Sequence, residues 1–135
     1  MGKKSRRTKL GRNKNPKNVI KDVREKMDVG ELASARETLV ALIGQERDSA
    51  DAWHMLGTVD YLMGDSKSAA QAFEKAAELS PSNPSFLNDL ASLYSAEKRY
   101  QDALPLFERV VQLAPDFVEG AYNLATCHLN LNHYE

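Results

Sequence analysis

The sequence predicts an all-α fold: antiparallel helix pairs stacked into an α-solenoid, preceded by a disordered basic N-terminal arm. Three observations carry that expectation. Blocks of residues recur at a fixed offset of 34. Within each block the apolar residues lie at helical spacing on two separate stripes. Clusters of Gly, Ser, Asn and Pro interrupt the stripes at matching places. A repeat of this length marks a supersecondary unit that must bury its apolar faces against its neighbours.

The arm comes first. Residues 1–17, MGKKSRRTKLGRNKNPK, hold eight Lys or Arg and no acid, which leaves ten bases against all nineteen acids in the rest of the chain. With Met1 and Leu10 as its bulky apolar residues, the arm cannot bury enough surface to fold alone. We assign 1–16 to a flexible arm and 17–135 to the array. Lys3, Lys4, Arg6 and Arg7 are candidates for binding an anion: RNA, a ribosome, an anionic lipid, or a receptor reading a nuclear address. A solvated tail is the other reading, since basic residues without interleaved aromatics attract charge but read no base. A basic start with no apolar segment after it does not read as a secretory signal. Arg6 stands where a myristoylation motif wants Ser or Thr. No apolar run approaches the roughly 18–20 residues of a membrane span. The single cysteine, Cys127, fits a reducing compartment, so a cytoplasmic location is expected.

The repeat is read most easily in the middle of the chain. Trp53-His54-Met55-Leu56-Gly57 aligns with Leu87-Asn88-Asp89-Leu90-Ala91 and with Ala121-Tyr122-Asn123-Leu124-Ala125. Ala69 steps to Ala103, Phe73 to Phe107, Leu79 to Leu113 and Pro81 to Pro115; stepping backward gives Ala35 and Leu39. Leu56, Val59 and Met63 form one helical stripe, "GDS" ends it, and Ala69, Ala72, Phe73, Ala76 and Leu79 form the second until "SPSNP". Pro84 suits the next helix start and "KRY" the next turn. Pro105, near the start of its helix, predicts a slight kink rather than a stop. Seven helices are expected, near 17–28, 31–45, 50–63, 66–79, 84–97, 100–113 and 118–131.

These residues resemble the tetratricopeptide repeat family. Trp53, Leu56, Gly57, Ala69, Phe73, Ala76 and Pro81 occupy its signature columns, as do Tyr94, Tyr100, Ala103, Phe107 and Pro115 one unit later. The resemblance divides the array into units 16–49, which is degenerate, 50–83, 84–117, and 118–135, which is incomplete. It departs at Asp60, where the family usually has tyrosine, and in the first unit, where Asp22 and Val23 replace Leu-Gly or Leu-Ala and Arg47 replaces the closing proline. Val19, Val23, Met27, Leu32, Ala35, Leu39 and Leu42 still give that unit two apolar faces. The resemblance implies a right-handed stack of pairs. Gly57 costs about 1 kcal/mol in a helix interior, and the expected compensation is close approach to Ala69 on the partner helix, with Ala91 and Ala103 repeating the pair.

The resemblance also implies that the first helix of each unit lines a concave groove. The columns concerned hold Asp51, His54, Met55, Thr58, Tyr61 and Leu62; then Ser85, Asn88, Asp89, Ser92 and Ser95; then Glu119, Tyr122, Asn123, Thr126 and Asn130. Amides and hydroxyls there suit an extended backbone, and Tyr61 and Tyr122 offer contact area. An ordinary hydrated surface is the plain alternative. Family members that capture the acidic tails of heat-shock chaperones gather positive charge in these columns, which this chain does not. With Asp51, Asp89 and Glu119 present, a neutral or basic segment is the expected ligand.

No catalytic set is evident. His128 and His133 are five apart, not the i, i+4 of a zinc pair, and one cysteine makes no metal site. Cys127 reads as a buried filler. Neither a phosphate loop nor a nucleophile elbow occurs. The chain is therefore expected to be a non-catalytic protein-binding module with no metal or cofactor. Two alternatives stay open: the substrate-recruiting front of a larger sulfotransferase, glycosyltransferase or methyltransferase, which the resemblance permits, and an RNA- or ribosome-associated adaptor acting through the arm. The last unit supplies one helix, and Leu124, His128 and Leu131 are expected to be left for a second, so the chain reads as truncated.

Overall fold

The computed structural model describes residues 15–134, and the described residues form seven α-helices: α1 Pro16–Asp28, α2 Leu32–Gln45, α3 Ala50–Leu62, α4 Ser66–Leu79, α5 Pro84–Ala96, α6 Tyr100–Leu113 and α7 Val118–Tyr134. Pro16 already belongs to α1, and the arm with Lys3, Lys4, Arg6 and Arg7 lies outside the described residues. Helix starts follow the local chemistry. The side chains of Asn15, Ser49, Asp65 and Asn83 accept hydrogen bonds from the backbone N–H of Lys17, Ala52, Ser68 and Phe86. The Ser68 N–H holds the Asp65 carboxyl below its ordinary range. Pro16 and Pro84 open their helices where no N–H is needed.

The repeat is visible in the turns. Gly30, Gly64 and Lys98, each 34 residues from the next, take φ of 81°, 86° and 62°. The residue after each donates its N–H five positions back: Glu31 to Lys26, Asp65 to Asp60 and Arg99 to Tyr94. That is the left-handed helix ending in which glycine is favoured, and it folds each pair into a tight hairpin.

Each helix packs on the next in sequence, and α5 also reaches α7. One core cluster joins Val19 and Val23 of α1 to Leu39 and Leu42 of α2 and to Leu56 and Val59 of α3. A second joins Phe73 of α4 to Leu90 and Tyr94 of α5, Phe107 of α6 and Cys127 of α7. The degenerate first unit thus keeps its core although it lacks the family's glycine. Burial raises the Cys127 thiol pKa, and the thiol donates to the Tyr100 carbonyl at 3.4 Å, which fits a filler.

Two expectations need correction. A Cβ at Gly57 would lie 2.4 Å from Phe73 Cδ1 and 2.6 Å from Cε1, so the Phe73 ring rather than Ala69 is the nearest obstacle to a side chain there. Ala69, fully buried, shares one stripe of α4 with Phe73 at i, i+4. Of Leu124, His128 and Leu131, His128 is exposed, but the two leucines are partly buried and pack with Cys127 toward α5 and α6. The open face of α7 carries Val118, Tyr122 and Leu129 instead. Asp60, the departure from the tyrosine column, is buried and accepts from Arg36 Nε of α2 at 2.7 Å. The pair ties α2 to α3.

Candidate peptide-binding groove

The first helices of the last three units, α3, α5 and α7, carry no lysine or arginine, whereas α1, the first helix of the first unit, carries Lys17, Lys21, Arg24 and Lys26. The bases from α3 onward sit on α4, α6 and the turns. The contacts of α3, α5 and α7 with one another repeat. His54 of α3 meets Asp89 of α5, with Nε2 and Oδ2 2.6 Å apart. A carboxylate only accepts, so Nε2–H donates. The imidazole is stacked on Phe86, with centroids 4.5 Å apart and planes 20° apart, and Phe73 stands 5.4 Å away. Thirty-four residues on, Asn123 Nδ2 of α7 donates to Asn88 Oδ1 of α5 at 3.1 Å. Asn88 Nδ2 in turn donates to Glu119 Oε1 at 3.2 Å.

Beside each contact lies a pocket. The first, of about 240 Å³, is lined by Thr58, Tyr61, Phe73, Asp89, Ser92, Leu93 and Ala96. The second, of about 250 Å³, is lined by Ser92, Ser95, Ala96, Tyr100, Phe107, Asn123, Thr126 and Asn130. These are one pocket at two positions of the repeat. Tyr61 becomes Ser95, Phe73 becomes Phe107, Asp89 becomes Asn123 and Ala96 becomes Asn130.

The structure thus brings together Thr58, Tyr61, Asp89 and Ser92 at the first pocket, and Ser92, Ser95, Asn123, Thr126 and Asn130 at the second. Asp51, Leu62, Ser85, Glu119 and Tyr122 are exposed without lining either pocket. The hydroxyls of Thr58 and Thr126 donate to the carbonyls of His54 and Tyr122, one helical turn back. Two expectations fail here. Met55 does not face the groove: with Ala52, Leu56 and Val59 it forms the i, i+3, i+4, i+7 stripe that packs on α1 and α2. Asn88 is 2% exposed and bonded on both sides, so it joins α5 to α7 and is closed to a ligand. Of the residues first read as packing, Leu56, Phe73, Ala91, Ala103 and Phe107 are buried. Trp53 is half-buried, its indole N–H donating to the Arg47 carbonyl at 2.9 Å. Phe73 and Phe107 also serve as pocket floors, which the sequence reading missed. So did it miss Leu93 and Ala96, although their 34-residue register with Cys127 and Asn130 was there to be used.

An array of repeated helix pairs, with pockets opening between successive first helices, defines the class as a helical solenoid repeat protein. The tetratricopeptide repeat family matches over residues 50–83, 72–104 and 95–135, and the chain belongs to that family. Among curated relatives, superkiller complex protein 3 of Mus musculus is 25% identical over 105 residues, 78% of this chain and 7% of that protein. The peroxisomal targeting signal receptor of Saccharomyces cerevisiae is 29% identical over 80 residues, 59% of this chain and 13% of the receptor. The chain therefore spans a small part of the relatives it matches. Among solved structures, MamA superposes with a TM-score of 0.80 at 19% identity, covering 87% of this chain and 69% of that one. YrrB, described as a TPR protein with an unusual peptide-binding site, gives 0.75 at 23% identity, covering 82% and 57%. The Yersinia enterocolitica secretion chaperone SycD, in complex with a peptide of the translocator YopD, gives 0.77 at 14% identity, covering 84% and 92%. At these identities the likeness is one of fold. Among the described residues no helix is long and apolar enough to cross a membrane, and no group of three or more His, Cys, Asp or Glu is placed to hold a metal.

Proposed function

We propose that the chain is a protein-interaction module that holds an extended, neutral or basic peptide segment across α3, α5 and α7. The observation that carries this is electrostatic. Asp51, Asp89 and Glu119 stand on three adjacent helices that contain no cation. An anionic peptide is repelled there and a cationic one attracted. The two pockets give such a segment places to insert side chains, and Ser92, Ser95, Thr126 and Asn130 offer hydrogen bonds. The peptide-binding descriptions of YrrB and SycD support the reading by analogy of fold.

The test is fluorescence anisotropy of the full chain with labelled peptide pools of basic, neutral and acidic composition. The first two should bind and the acidic pool should not. The triple variant His54→Ala, Asp89→Ala, Asn123→Ala should lose binding. Preference for the acidic pool would overturn the reading.

A further inference from the structure

We propose that the groove reads its ligand at two places one repeat apart, with an arginine or lysine side chain entering the α3/α5 pocket and a neutral hydrogen-bonding side chain entering the α5/α7 pocket. This rests on the peptide-binding reading above and names what that site selects.

The first pocket has the chemistry of a long cationic side chain. At about 240 Å³ it is smaller than the roughly 300–1,000 Å³ of sites for drug-sized ligands, a scale that suits one side chain with water. Tyr61, Phe73 and Leu93 supply apolar walls for a methylene stem. The exposed Tyr61 ring can also lie against a cation. Asp89 supplies the counter-charge: its Oδ2 is fixed by His54, its side chain is 44% exposed, and no lysine or arginine among the described residues pairs with it. His54 acts through Asp89 as a positioning residue, itself held by the Phe86 stack.

The second pocket keeps the architecture and changes the chemistry. Asn123 replaces the carboxylate, Ser95 replaces the tyrosine ring, and Asn130 replaces Ala96. A cation finds no charge there, and although Tyr100 and Phe107 remain as apolar surface, Ser95, Asn123, Thr126 and Asn130 give an amide or hydroxyl both donors and acceptors. Packed helices lie about 8–10 Å apart, and an extended chain rises about 3.3 Å per residue. Because side chains of an extended chain alternate between faces, the two that enter the groove stand an even number of residues apart, two or four, in the ligand.

The experiment titrates the full chain with fluorescein-labelled Ser/Ala decapeptides carrying Arg, its uncharged isostere citrulline, or Glu at the centre. A second set adds Gln or Leu two or four residues to either side. Arg should bind about five- to tenfold tighter than citrulline, Glu weakest, and Gln better than Leu on one side. Asp89→Asn, which keeps an acceptor for His54, should bring the Arg-to-citrulline ratio to about one. Ser92→Lys, one turn from Asp89 on α5, should do the same by neutralising the carboxylate from within, which guards against misfolding of the first variant. If peptides bind but Arg and citrulline are equal in the parent chain, the pocket assignment falls and the groove survives. If none binds, the groove falls with it.

Discussion

His54 of α3 and Asp89 of α5 stand 2.6 Å apart, in the columns that Asn88 and Asn123 occupy one unit later at 3.1 Å. One register therefore joins α3 to α5 and α5 to α7 by a polar contact, with a pocket next to each. The two partners are 21% and 44% exposed, so the bond belongs in the modest range. In urea denaturation, a double-mutant cycle of His54→Phe and Asp89→Leu should give a coupling of about 1 kcal/mol. Strictly additive effects would mean that the contact does not tie α3 to α5.

Gly57 tests the packing account. Because a Cβ there would meet the Phe73 ring at 2.4 Å, Gly57→Ala should destabilise by about 1–3 kcal/mol through overpacking, despite alanine's better helix propensity. Phe73→Leu shortens the obstructing side chain, so in that background the same substitution should cost distinctly less. A Gly57→Ala protein melting at or above the parent temperature would show that the ring moves aside freely.

The fold was legible because each unit repeats both its stripes and its stops. Gly57, Phe73 and their equivalents could be aligned without coordinates, and the helix ends fall within a few residues of expectation. The last helix runs on to Tyr134, past 131, where neither Gly nor Pro intervenes. The groove was legible by column but not by depth. Asn88 and His54 share a column, yet α7 covers Asn88 with Asn123 and Glu119, and the covering depends on what the next unit places opposite. Met55 was misplaced because a column carried over from the family ignores the local stripe, where Ala52, Leu56 and Val59 already claim that face. The pockets could not be read from one helix, since α3, α4 and α5 each contribute walls.

Asp60 and Arg36 form the one ion pair among the described residues with a carboxylate as deeply buried as 3%. Removing the cation leaves that charge enclosed, so Arg36→Met should cost on the order of 3 kcal/mol, the low end for a buried pair because Arg36 is 42% exposed. The double variant Arg36→Met, Asp60→Tyr removes the stranded charge and restores the residue usual in the family at that column. It should recover most of the loss in chemical denaturation. No recovery would mean that packing around Asp60, rather than its charge, sets the cost.

Lys98 occupies the turn position that Gly30 and Gly64 fill in the two preceding units, with φ of 62° against their 81° and 86°. For a residue with a Cβ this left-handed conformation costs about 1–2 kcal/mol, and glycine avoids it while losing somewhat more backbone entropy on folding. The lysine is exposed, and its ammonium is in none of the salt bridges or hydrogen bonds among the described residues, so its removal sacrifices little. Lys98→Gly should therefore stabilise the chain by about 0.5–1 kcal/mol, a rise of a few degrees in Tm. Lys98→Val, branched at Cβ, should move it the other way. Equal melting temperatures for the two variants would show that the α5–α6 turn relaxes out of the left-handed region in solution, and the shared geometry of the three turns would then not be what sets the hairpin.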